Sequence, residues 1–135
     1  ATGRSSARSR DPSPAIFPLP ALRTQPEAFH DYIKKGCRIA CELGADAIKT
    51  FYTGERFAEV VDGSPIPIFA LGAEKLPHEI DALILAQRAV AAGAAGVVYG
   101  RNVLQAQSPA AFLRALKDVV AGRALPEDAA RDLAR

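Results

Sequence analysis

The sequence contains no methionine among its 135 residues. A chain without an initiator reads as processed, renumbered or a piece of something longer. No apolar run approaches the ~20 residues needed to span a bilayer. The first residues lack the apolar core of a secretory signal, so a cytoplasmic location and no membrane partner are expected. Charge of one sign is not in excess: 17 Lys and Arg against 15 Asp and Glu leave a net +2. Outside the N-terminus the basic residues are dispersed, which is no footprint for nucleic acid. Cysteine is scarce, with only Cys37 and Cys41. Four apart on a predicted helix, they share a face without matching disulfide geometry. No His or further Cys stands beside them, so helix packing is expected rather than a metal site, and no cofactor is expected.

What the chain does have is apolar residues in short, regular runs. Its length suits one domain with a real core. Residues 1–14 are rich in Ser, Arg, Gly and Pro without periodicity and read as disordered or foreign to the fold. Residues 15–22 are apolar, but Pro18 and Pro20 make them a poor central strand. From residue 23 the order becomes regular. The patterning predicts a helix over 26–43, a strand over 46–51 and a short helix over 55–62. A strand over 66–71, a helix over 76–92 and a strand over 95–99 follow, with a helical turn at 103–105 and helices over 109–121 and 126–134. Alternating helices and apolar strands argue for an α/β fold, with a parallel sheet covered by helices.

In such sheets chemistry collects at the C-terminal ends of the strands, and three polar groups fall there. Lys49, in the run Ala45–Tyr52, sits in a strand expected to be buried. Lysine is rarely buried without a partner or a chemical task, and a neutral amine can attack a carbonyl to form a Schiff base. Asp46 reads as a strand-entry or capping group. Gly100, Arg101 and Asn102 end the last strand. A glycine there allows close approach of an oxyanion, and Arg101 brings a fork suited to phosphate. Gly72 and Ala73 end the middle strand and are read as the other half of a phosphate cradle, with Lys75 exposed. The alternative for these loops is an ordinary exposed turn with a surface Arg. His30 and His78 are expected to be surface or packing residues.

Three stretches, residues 38–54, 67–75 and 93–105, together resemble the DeoC/FbaB group of class I (Schiff-base) aldolases. That group includes archaeal-type fructose-bisphosphate aldolases and a related thiolase. The resemblance covers about residues 27–120. It implies the parallel (β/α) units of the C-terminal half of a (β/α)8 TIM barrel, with these strands as the sixth to eighth. It makes Lys49 the Schiff-base lysine and has Gly72, Ala73, Gly100 and Arg101 hold a substrate phosphate. The family usually carries Gly-Gly where this chain has Gly72-Ala73, and often a small polar residue in place of Leu71. Its fifth strand usually ends in an acid/base Tyr; the corresponding run here, residues 16–20, holds none.

Two readings of function follow. One is an aldolase acting on a phosphorylated sugar: fructose 1,6-bisphosphate, deoxyribose 5-phosphate or a dihydroxyacetone phosphate analogue. The other is a non-catalytic half-barrel that binds phosphate or assembles with a partner. An open half-barrel exposes sheet edges and an apolar interior, so a homo-oligomer is expected. A compact phosphate-binding domain with a rearranged sheet is a third arrangement, one that sets the resemblance aside.

Overall fold

The computed structural model describes Leu22 and residues 24–135. The divergent segment expected at 1–22, with the place of the fifth-strand Tyr, lies outside the described residues but for Leu22. The described chain runs α1 (Pro26–Glu42), β1 (Ile48–Phe51), α2 (Phe57–Asp62), β2 (Ile68–Leu71) and α3 (Glu79–Ala91), then β3 (Gly96–Val98), α4 (Arg101–Leu104), α5 (Pro109–Val120) and α6 (Pro126–Leu133).

Local chemistry accounts for these bounds. Pro26 opens α1, where its missing N–H would have had no helical partner. His30, Ile33, Cys37 and Ala40 are its buried residues, and their three- and four-residue spacing places them on one face. The helix expected from residue 76 starts instead at Glu79. Pro77 disfavours helical geometry at Leu76, and His78 is extended, with φ −120° and ψ 139°. Gly93 then turns the chain into β3 with φ 105°. A Cβ there would also lie 3.0 Å from Val61 Cγ1, so backbone and packing both call for glycine.

The strands form one parallel sheet in the order β1-β2-β3. Lys49 pairs with Phe69 and Phe51 with Leu71, while Phe69 pairs in turn with Gly96 and Leu71 with Val98. Because side chains alternate along a strand, the sheet has two unlike faces. On one, Ile48, Ile68 and Ala70 pack with Ile33, Cys37, Phe57 and Val60 of the neighbouring helices in a continuous core. A second core lies among α3, α5 and α6, around Leu83, Phe112, Leu116 and Ala129. Burying side chains such as Phe57, Phe112 and Leu83 contributes about 1.5–3 kcal/mol each.

The other face carries Lys49, Phe51, Phe69, Leu71, Gly96 and Val98. The described helices leave most of it open: Lys49 is exposed and Val98 is 42% exposed, and Phe29 of α1 meets this face edge-on at Phe51, with ring centroids 5.8 Å apart. The expectation of a buried lysine is therefore corrected. The strand is buried through Ile48 and Thr50, and Lys49 points the other way. Among the described residues no helix is long and apolar enough to cross a membrane.

Candidate functional site

The sheet brings the three strand ends to one side of the open face. Lys49, Gly72, Ala73, Gly100 and Arg101 all line a single hollow of about 380 Å³, together with Phe51, Leu71, Glu74 and Val98. Lys49 and Arg101 lie on opposite edge strands or just beyond them, so the hollow spans the width of the sheet. A larger hollow of about 420 Å³ lies elsewhere, among α3, α5 and the turn before α6. It shares no residue with the strand ends and holds none of the chemistry singled out above.

The two strand-end turns, at Gly72 and at Gly100, differ in kind. At Gly100, a Cβ would meet no protein atom within 4 Å. The turn into α4 begins there, with Val103 and Leu104 both donating their N–H to Gly100 O. Packing does not require glycine at this position, and its surface is open to an approaching group. At Gly72, by contrast, a Cβ would stand 2.7 Å from Tyr99 Cδ1 and 3.0 Å from Asn102 Nδ2. The Gly72 N–H donates to Val98 O at 3.2 Å. Gly72 therefore supplies room for the packing beneath it, while its amide is spent on the sheet ladder. Ala73 follows with φ 50°, a left-handed conformation that costs a non-glycine residue about 1 kcal/mol. The Gly-Gly of the resembling family suits this backbone better than Gly72-Ala73.

Asn102 holds the two loops together. It is 4% exposed. Its Nδ2 donates to Gly72 O at 3.1 Å and Glu74 O at 3.2 Å, and its Oδ1 accepts from Leu76 N–H at 2.9 Å. One buried amide thus ties the 72–76 loop to the start of α4. The sequence places Asn102 in its motif, but these partners lie 26 to 30 residues away and no local signal names them. Tyr99 faces the helices, and its hydroxyl donates to Ala82 O at 2.9 Å. Burial pushes its ionisation well above the usual range.

The remaining titratable groups sit apart from the hollow. His30 is 2% exposed. Its Nε2 lies 3.3 Å from Glu59 Oε2 and its Nδ1 2.7 Å from Thr53 Oγ1. With Nε2–H directed at the carboxylate, Nδ1 accepts the threonine proton, so the ring fastens the turn after β1 to α1 and α2. Glu59 is held down to about 2, chiefly by its hydrogen bonds from Arg56. His78 and Lys75 are exposed. Cys37 is buried and free and Cys41 is free; burial pushes the Cys37 thiol up to about 11. Among the described residues no cluster of three His, Cys, Asp or Glu could hold a metal ion.

Comparison with known proteins places this arrangement. Residues 21–106 match the DeoC/LacD family aldolase, and the chain belongs to that family. Over 89 residues it is 44% identical to the 3-hydroxy-5-phosphonooxypentane-2,4-dione thiolase of Photorhabdus laumondii, covering 66% of this chain and 30% of that protein. It is 42% identical over 98 residues to an uncharacterized aldolase of Pasteurella multocida, covering 73% of this chain and 33% of that one. The chain thus spans about a third of the length of these relatives.

Among solved structures, an archaeal fructose 1,6-bisphosphate aldolase superposes with a TM-score of 0.66 at 38% identity, over 73% of this chain and 39% of that one. A second archaeal structure, whose catalytic Lys is covalently bound to the carbinolamine intermediate of its substrate, matches with a TM-score of 0.65 at 37% identity, over 72% and 38%. The described units correspond to the C-terminal part of a (β/α)8 barrel. In that fold eight strands close on themselves, so the uncovered face here corresponds to the barrel's interior.

Proposed function

We propose that this chain carries the carbonyl- and phosphate-binding part of a Schiff-base aldolase that acts on a phosphorylated sugar. The observation that carries the reading is that an exposed amine and two strand-end glycine turns, one with an arginine, line the same hollow at the C-terminal ends of adjacent strands. The family membership supports the reaction class.

In this reading neutral Lys49 adds to the substrate carbonyl carbon, and the resulting carbinolamine loses water to give a protonated imine. The bond between the α and β carbons then breaks. Its electron pair moves into the imine to leave an enamine, while the hydroxyl on the β carbon gives its proton to water and becomes the carbonyl of the departing aldehyde. Protonation of the enamine and hydrolysis of the imine return the amine and the second product. Arg101 offers the charged fork for the phosphate. The open surface of Gly100 and the loop at Ala73 let the phosphate approach the backbone. Holding the phosphate at one end of the hollow fixes the carbonyl at the other, which converts a random encounter into a positioned one. Asn102 keeps both loops in place.

Borohydride reduction in the presence of a phosphorylated carbonyl compound tests this. The expected result is a stable adduct that maps to Lys49 and is lost in Lys49→Met. Labelling at other lysines alone would refute the assignment.

A second reading is favoured by one observation, the uncovered sheet face with Phe69 and Val98 on it. Here the chain binds phosphate at Gly100-Arg101 without turnover, and a second copy covers that face in a homo-oligomer. Light scattering distinguishes the two: a folded monomer that binds no dye for exposed apolar surface would count against this second arrangement.

A further inference from the structure

Cleavage through an imine moves a proton twice. The β-hydroxyl loses one as the carbon–carbon bond breaks, and the enamine gains one at its α carbon. Glu74 stands where both steps can be served. It lines the 380 Å³ hollow with Lys49 and Arg101, and it also lines an adjoining hollow of about 230 Å³ with Phe51 and Tyr52. Its backbone is pinned at this junction. Glu74 O accepts from Asn102 Nδ2 at 3.2 Å, and the same buried amide bonds Gly72 O on one side and the Leu76 N–H on the other. Glu74 is also exposed, so its carboxylate can exchange protons with solvent.

We propose that Glu74 is the catalytic residue that carries this proton, a role that rests on the reading of Lys49 as the imine-forming residue. The β-hydroxyl gives its proton through one water to the Glu74 carboxylate as the carbon–carbon bond breaks. The O–H electron pair becomes the second bond of the aldehyde carbonyl, and the carbon–carbon pair enters the imine. The Glu74 carboxylic acid then gives a proton to the α carbon of the enamine, whose electron pair forms the new C–H bond. The protonated imine is restored and Glu74 ends as the carboxylate it began as. A carboxylate can accept a proton outright, whereas a phenol such as that of Tyr52 must first lose one. Negative charge in the hollow also favours the cationic imine, and Arg101 offsets it toward a bound phosphate.

The test incubates the full chain with dihydroxyacetone phosphate in heavy water. Deuterium entry at the hydroxymethyl carbon, which is α to the imine, is followed by NMR. Borohydride trapping at Lys49 is measured in parallel, with the adduct mapped by peptide mass. In Glu74→Gln the exchange rate is expected to fall about 100-fold or more, while half-saturation for trapping stays within about threefold. Glu74→Asp should retain more exchange than Glu74→Gln, and Tyr52→Phe should stay within about threefold of the unsubstituted protein. Exchange in Glu74→Gln within about threefold of the unsubstituted rate, with the adduct still on Lys49, would overturn the role of Glu74 and leave the imine reading standing. So would an unsubstituted protein that forms the Lys49 adduct without exchange. Absence of any Lys49 adduct in the unsubstituted protein would overturn the imine reading, and this role with it.

Discussion

The two faces of the same three strands are built for different ends. On the helix side, Ile48, Thr50, Ile68 and Ala70 are at most 2% exposed, and Phe57 and Val60 close over them. On the other side, one residue along each strand, stand an exposed lysine and an apolar row that the described helices leave largely open, touched by Phe29 of α1 at Phe51. The period of two in a strand separates these sets, except that Phe51, at the end of β1, also packs against the helix-side core. Stability is stored on one face, and the groups proposed to meet a substrate are on the other. Substitutions on the covered face should therefore change folding, while those on the open face change chemistry with little effect on folding.

The largest stability effect is expected at Phe57, which is fully buried. Phe57→Ala should cost about 3–5 kcal/mol in denaturant unfolding, while molecules that remain folded still form the Lys49 adduct. Gly72→Ala comes next, because its Cβ would press on the Tyr99 ring at 2.7 Å. A loss of about 1–3 kcal/mol is expected, together with weaker phosphate binding as the Asn102 contacts open. Thr50→Val should have a smaller effect. The Thr50 hydroxyl is wholly buried against the Cys37 thiol, a weak hydrogen-bonding partner, so its removal should move stability by no more than about 1 kcal/mol, read from the denaturation midpoint at an unchanged slope.

The covered face should also show in alkaline titration. The Cys37 thiol, raised by burial from 9.0 to about 11, favours its neutral form when folded. Its contribution to stability is complete below pH 9 and is lost as pH rises through about 11. In Cys37→Ala the alkaline decline in unfolding midpoint should be shallower. The smallest effect on folding is expected at the exposed lysine. Lys49→Met should change stability by no more than about 0.5 kcal/mol while abolishing the borohydride adduct. A large loss of stability would show that Lys49 belongs to the structural face.

How much of this was legible in the sequence follows the same division. The order of helices and strands from residue 26 onward was readable, because each element announces itself locally. Pro26 and Pro109 lie in first turns, Gly93 ends a helix, and β-branched residues mark Ile48 and Ile68. The meeting of Lys49, Gly72 and Gly100 was foreseen from parallel topology, since parallel strands put their C-terminal ends together. The exposure of Lys49 was not legible. A short run of mixed residues between two glycines, with Ala47, Ile48 and Phe51 in it, looks buried on both sides, and only the packing of the described helices shows that one side is left largely open. The Asn102 clamp and the His30–Thr53 contact were equally hidden, for their partners are more than 20 residues distant. The strained φ of Ala73 has a faint signal, an alanine where the resembling family carries glycine.

The central claim is that the amine and the anion-binding turns serve one ligand in one hollow. It is tested most directly by measuring the rate of borohydride trapping at Lys49 by a phosphorylated ketone while inorganic phosphate is added. The expected result is saturable suppression of the Lys49 adduct by phosphate, weakened in Arg101→Ala. Trapping at an unchanged rate up to phosphate concentrations that demonstrably occupy the Arg101 turn would contradict it.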